Sequence, residues 1–280
     1  MTISRRSFLA AASLLVRVPK FRIGVTDWDL GRAGKVESIA VAKRLGFEGI
    51  QLRLDREKGA DRLVLANPEL QAAYLEESKR LGLPLAGASL AGLQANPKQS
   101  GKSGESWVAA GIGITRKLNA GVLLVPFFFK DVPFAATSDY VTALLGDLAP
   151  DAEKAGVAIG LENWLSAEDN VRIMDRIHSP AVRMYYDVGI TTRLGLDAPK
   201  EIRWLGKSRI AQIHLKDDVR YFGEGKVDFA AVLRAMAGIG YEGFAHIEKS
   251  GAVKSSTVEE DMRRNLNYIR AMMKQAAVAA

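Results

Sequence analysis

From residue 21 onward, short apolar runs alternate with longer segments whose apolar residues recur every three or four positions. The runs are 21–27 (FRIGVTD), 49–54 (GIQLRL), 84–89 (PLAGAS), 122–128 (VLLVPFF), 157–162 (VAIGLE), 182–187 (VRMYYD), 210–215 (IAQIHL) and 243–248 (GFAHIE). Most are rich in aliphatic or β-branched residues, which predicts strands buried on both faces. Helical spacing covers 35–45, 69–81, 106–118, 137–155, 168–177, 198–205, 228–238 and 259–275. Gly46, Gly82 and Gly156 each stand one step past a helix, where a left-handed cap is wanted. Asn67-Pro68 places a proline at the first position of another helix. Strict strand–helix alternation predicts parallel pairing with right-handed crossovers. Eight such units without a change of composition predict an α/β fold closed into a single (β/α)8 TIM barrel. The competing fold is a doubly wound sheet, but no G-x-G-x-x-G follows the first strand.

Composition narrows the chemistry. The 280 residues are 48% hydrophobic and 25% charged, the balance of a globular protein with enough chain for a large core. There is no cysteine, which excludes a disulfide framework, thiolate zinc sites, iron–sulfur clusters and a cysteine nucleophile. The net charge is +7, but Arg5, Arg6, Arg17 and Lys20 supply four of those charges. No dense Lys/Arg run with interleaved aromatics occurs in the body, so a nucleic-acid partner is not expected.

The basic N-terminus has its own explanation. M-T-I-S-R-R-S-F-L-A-A-A-S-L-L-V resembles a twin-arginine export signal, with the pair Arg5–Arg6 ahead of an apolar run ending at Val16. That run is too short to span a bilayer, so stable membrane insertion is not expected. Residues 1–20 are therefore read as a twin-arginine-like signal or a disordered N-terminus, and 21–280 as the catalytic barrel. The signal implies a periplasmic or exported protein; without it the chain would be cytoplasmic.

Active sites of such barrels lie at the C-terminal ends of the strands. The fifth strand ends in Leu161-Glu162-Asn163-Trp164 and the sixth in Tyr185-Tyr186-Asp187-Val188-Gly189. The seventh ends in Ile213-His214-Leu215-Lys216-Asp217 and the eighth in His246-Ile247-Glu248-Lys249. A single acid at a strand end is ordinarily a cap or an ion-pair partner. Four successive strand ends bearing an acid or imidazole are a different matter. Three carboxylates and an imidazole converging on one point repel unless a cation neutralises them. Oxygen-rich ligation with one nitrogen favours Mn²⁺, Mg²⁺ or Co²⁺ over a structural zinc. His246, two residues before Glu248, shares its face one layer deeper and reads as a core or supporting histidine. His178, at a helix end, reads as a solvated charge.

The strand ends L-E-N, Y-Y-D-V-G and I-H-L-K-D, followed by F-G-E-G-K-V-D-F and I-G-Y-E-G-F-A-H-I-E, resemble the sugar phosphate isomerase/epimerase family with its xylose-isomerase-like barrel. The resemblance covers roughly residues 21–275 and is most specific from 157 to 250. It implies one divalent metal, Mn²⁺ first with Mg²⁺, Co²⁺ or Zn²⁺ as alternatives, held by Glu162, Asp187, His214 and Glu248. It also implies that Glu162 and Glu248 act as the proton-transfer pair. Arg220 matches a substrate-orienting arginine, and Lys216 would steady an oxyanion or pair with Asp217 or Asp218. Trp28, Trp164 and Phe128 would form an apolar wall for a sugar ring. Relatives that epimerise ketoses carry histidine three residues after the sixth-strand aspartate, where this chain has Ile190. The abasic-site endonucleases of the same barrel need three zinc ions and many histidines; three histidines in all cannot build that cluster.

The expected activity is therefore a divalent-metal-dependent isomerase or epimerase acting on a sugar or keto-sugar through an enediolate. A lyase that eliminates a β-substituent from a keto-glycoside or inosose shares the first step. A sugar-binding barrel without turnover is the alternative of another class. The partner is a small carbohydrate, and homo-oligomerisation is left open. Leu266, Ile269 and Met273 on the last helix read as barrel packing.

Overall fold

The computed structural model describes residues 20–58, 62–90, 97–128, 134–217, 221–248 and 256–278. The N-terminal signal and Arg220 lie outside the described residues. Eight parallel strands close into one barrel in sequence order: β1 Arg22–Thr26, β2 Ile50–Leu54, β3 Leu85–Leu90, β4 Val122–Pro126, β5 Ala158–Glu162, β6 Val182–Asp187, β7 Ile210–Leu215 and β8 Phe244–Ile247. Closure comes from β1 against β8, where Arg22 to Val25 register with Phe244 to Ile247.

Around the barrel run α1 Ser38–Leu45, α2 Pro68–Leu81, α3 Pro97–Lys117, α4 Phe134–Ala155, α5 Ala167–Ile177, α6 Val188–Arg193, α7 Ala198–Leu205, α8 Phe229–Gly238 and α9 Val258–Val278. The alternation expected from the sequence is present in every unit. Local signals set the ends as anticipated. Asn67 accepts hydrogen bonds from the backbone N–H groups of Glu69 and Leu70 to open α2, and Gly82 closes it at φ 60°. The core is one continuous cluster between strands and helices, with Leu52, Leu161, Ile213 and Ile247 among its members. Removing a side chain of that size from water contributes roughly 1.5–3 kcal/mol. Leu266 and Ile269 of α9 are buried in it and Met273 packs on it, as barrel packing requires.

Two elements differ from expectation. Helix α3 begins at Pro97 rather than 106, taking in the Gly/Ser-rich stretch P-K-Q-S-G-K-S-G, which has no apolar period. The six-residue α6 follows β6 directly and has no counterpart in the periodicity. Its origin is Asp187, whose side chain caps it, so the strand's last residue and the helix's first cap are one carboxylate.

Candidate active site

The strand ends bring the predicted ionisable groups together. Glu162 ends β5, Asp187 ends β6, His214 is the fifth residue of β7, and Glu248 follows β8. All but Glu248 are almost wholly buried, and its side chain is 17% exposed. Glu162, Asp187 and His214 each offer one ligand atom within 4.8 Å of the others. Glu248 stands beside this group of three, with Oε2 3.5 Å from His214 Nδ1, while Glu162 Oε1 lies 3.0 Å from the same nitrogen. The imidazole is thus flanked by both glutamates.

Lys216 turns inward, and Asp218 lies outside the described residues. Its ammonium lies 2.7 Å from Glu248 Oε2 and 3.4 Å from Asp187 Oδ2. Asp217 instead accepts the backbone N–H of Lys226 at 3.1 Å. The reason is depth: three buried carboxylates draw the nearest flexible cation inward, and the neighbouring acid is left to pin a loop.

Electrostatics follow from this crowding. Burial pushes the Glu162 carboxyl up, with His214 pulling against it. Burial also raises Asp187, with Lys216 opposing. Glu248 is driven the other way: burial works against its charge, but His214 and Lys216 outweigh it and hold the carboxyl low. His214 suffers the same burial, yet Glu248 and Glu162 raise it to about 9. His214 and Lys216 thus face three carboxylates, one positive charge short of balance when all three are ionised.

The donor set fits a divalent cation. Asp187 Oδ1 accepts the backbone N–H of Ile190 at 2.8 Å, whereas its buried Oδ2 receives no hydrogen bond and has only the Lys216 ammonium near it, at 3.4 Å. A buried carboxylate oxygen without a donor is costly unless a cation completes it. His214 Nε2 faces Gln51 Oε1 at 2.9 Å. An amide oxygen can only accept, so Nε2 carries a proton and the lone pair available on loss of the second proton is at Nδ1, between the glutamates.

Below this layer lies a buried polar network that the sequence reading did not anticipate. Tyr185 Oη is 3.2 Å from Gln51 Oε1 and 3.0 Å from His246 Nδ1, and Gln212 donates to the Ala86 carbonyl. His246 is fully buried and held neutral by burial and by His214, in keeping with a supporting rather than a ligating histidine. Gly24 makes room for it: a Cβ there would stand 2.4 Å from His246 Cδ2.

Above the ionisable layer, a cavity of about 120 Å³ is lined by Trp28, Arg53, Ser89, Leu124, Pro126, Phe128, Glu162 and Glu248. Trp28 and Phe128 are both in this lining, and the Trp28 indole hydrogen-bonds Glu248. Trp164 is not in the lining. It packs on Phe128 at 5.1 Å between ring centroids, with the Arg193 guanidinium 4.2 Å from its ring. Ile190 is buried, and its contribution to the site is the backbone donor to Asp187. Arg53 and Ser89 line the cavity without having been singled out in the sequence.

Residues 39–272 match the family of xylose isomerase-like TIM barrels. The chain belongs to this family. A 2-epi-5-epi-valiolone 7-phosphate 2-epimerase from Actinoplanes sp. is 30% identical over 203 residues, covering 70% of this chain and 72% of that protein. A 3-oxo-isoapionate decarboxylase from Pectobacterium atrosepticum is 30% identical over 110 residues, covering 39% of this chain and 40% of the relative's length. Among solved structures, an L-ribulose 3-epimerase superposes with TM-score 0.77 at 17% identity, covering 92% of this chain and 96% of that one. A 3-keto-D-glucoside 4-epimerase from E. coli gives 0.74 at 16% identity over 90% of this chain and 100% of that one. These structures share the xylose isomerase-like barrel. No helix among the described residues is long and apolar enough to cross a membrane.

Proposed function

We propose that this barrel is a divalent-cation-dependent sugar isomerase or epimerase that moves a proton at the carbon beside a keto-sugar's carbonyl. The observation that carries the reading is the pair Glu162 and Glu248, which line one cavity and flank one imidazole nitrogen at 3.0 and 3.5 Å. Glu162, Asp187, His214 and Glu248 would hold the cation. When bound, it would polarise the substrate carbonyl and stabilise negative charge on that oxygen.

The residues divide the proton's path between them. Glu248, held as a carboxylate by His214 and Lys216, takes the α-proton, and the electron pair moves onto the carbonyl oxygen. Glu162, which lines the same cavity, returns a proton to the same carbon from the other side. Return to the same carbon inverts it; return to the former carbonyl carbon interconverts aldose and ketose. Lys216 keeps Glu248 in place between turnovers, and Trp28 and Phe128 pack on the ring. The epimerase relative supports this reading. The decarboxylase relative favours a second outcome on the same site, in which the C–C bond to a carboxylate breaks in place of the C–H bond, CO2 leaves and the bond's electron pair moves onto the carbonyl oxygen. The segment S-R-R-S-F-L at residues 4–9 supports export of the folded barrel.

The test is deuterium wash-in from heavy water over ketoses, keto-acids and keto-glycosides with Mn²⁺ present. Exchange beside a carbonyl, abolished by chelator and restored by Mn²⁺, is the expected result. No exchange on any of them by protein carrying stoichiometric Mn²⁺ would overturn the reading.

A further inference from the structure

Among the described residues, the cavity is lined by one cation that the proton-transfer chemistry does not use. Arg53 lies on β2 and lines the same space as Glu162 and Glu248. It is fixed at two points. Its backbone N–H donates to Asp27 Oδ1 at 3.1 Å, and its Nε donates to Asp55 Oδ1 at 2.7 Å. Neither terminal guanidinium nitrogen has a hydrogen-bond partner among the described residues, which leaves four N–H donors unspent. The side chains of the Arg53–Asp55 pair are 40% and 39% exposed, where an ion pair contributes little to stability.

Lys216, the other cation beside these carboxylates among the described residues, is committed to Glu248 and Asp187. The rest of the lining offers one hydroxyl, on Ser89, against Leu124, Pro126, Phe128 and Trp28. A guanidinium with free donors, anchored through Nε at the rim of a cavity that is otherwise negative or apolar, is matched by an oxyanion. Carboxylate and phosphate oxygens both accept paired donors from such a fork. They would also be repelled by Glu162 and Glu248 unless a cation stood on the far side of the cavity.

We infer that the substrate carries an oxyanion remote from its reacting carbon, and that Arg53 is the residue that selects it. The substrate class is then a keto-sugar acid or a keto-sugar phosphate rather than a neutral ketose. The inference rests on the reading of Glu162 and Glu248 as the reacting end of the cavity.

The experiment is calorimetric binding of three probes, D-fructose, 5-keto-D-gluconate and D-fructose 6-phosphate, to the Mn²⁺-supplemented full chain and to Arg53→Met and Arg53→Lys. At least one anionic probe is expected to bind the wild type about 10- to 100-fold more tightly than fructose. Arg53→Met is expected to erase that advantage while leaving fructose within about twofold, and Arg53→Lys to restore only part of it. Preference for the carboxylate identifies a sugar acid, and preference for the ester a sugar phosphate. Equal binding of all three, no binding of either anion, or an advantage that survives in Arg53→Met overturns the inference. Selective binding through Arg53 without deuterium exchange on the preferred probe overturns the proton-transfer reading alone. Exchange on fructose with an anion preference of zero overturns the role of Arg53 alone.

Discussion

The two halves of the barrel mouth are built on different principles. Strands β5 to β8 deliver Glu162, Asp187, His214, Lys216 and Glu248, and these groups hold one another in place by charge. Strands β1 to β4 deliver Trp28, Gln51, Arg53 and Ser89, which act through hydrogen bonds, shape and a single guanidinium. Polar contacts cross between the halves: Gln51 meets His214 Nε2 and Tyr185 Oη, Gln212 donates to the Ala86 carbonyl, and Trp28 reaches Glu248. The charged half would set what reaction is possible, and the hydrogen-bonded half which proton each base carries and which substrate fits. Aspartate 27 shows the contrast in miniature. It is as buried as Asp187, but backbone N–H groups of Arg53 and Gly34 satisfy it, so it ties β1's loop to β2 instead of waiting for a ligand.

The largest expected effect comes from breaking the charged half. Replacing Asp187 and His214 together, by Asn and Ala, should leave purified protein with only trace divalent metal by elemental analysis, against near one equivalent in the parent. Stoichiometric metal in that variant would remove the proposed site. A smaller effect should follow from the other half. Gln51→Leu takes away the acceptor that keeps the proton on His214 Nε2, and supporting contacts of this kind typically contribute 10- to 100-fold in metal affinity, so a drop of about that size is expected in a Mn²⁺ titration. An unchanged titration would mean that the two halves are independent.

A separate effect concerns stability and pH. Burial raises the Asp27 carboxyl to about 8 from an ordinary value of 3.8, despite its backbone donors. The folded state thus binds a proton that the unfolded state has released, and the stability this brings is full below pH 4 and lost as pH rises through about 8. Asp27→Asn lacks this titration. The stability difference between parent and variant, from urea unfolding, should shift in the variant's favour between pH 4 and pH 8, at about 1.4 kcal/mol per unit of retained shift. A difference independent of pH would mean that Asp27 is ionised in the folded protein.

How much of this was legible in the sequence follows the same division. Buried strands announce themselves as apolar runs because both faces are covered, and β7 occupies 210–215 as read. The charged groups were legible because an acid or imidazole at the end of such a run has no packing reason to be there. Gln51 and Arg53 escaped notice inside GIQLRL, where they read as tolerated polar residues in an apolar strand. The signal was present in their spacing: two residues apart, they share a face, and in a closed barrel that face is the interior. Trp164 looked like a wall residue from its place after β5, but one residue's turn of the chain puts it on Phe128, outside the cavity. Helix α6 escaped because six residues show less than two turns of periodicity.

The central claim, that Glu162 and Glu248 serve opposite faces of one carbon, is tested most directly by solvent deuterium exchange in the single glutamine variants. A pair of epimeric keto-sugars that the parent interconverts is given separately to Glu162→Gln and Glu248→Gln. Interconversion should fall by about 10²- to 10⁴-fold in both variants. Each variant should nonetheless keep exchanging the proton of one epimer, and the two variants should keep opposite ones. Loss of exchange from both epimers in both variants, or interconversion surviving in either, would contradict the account.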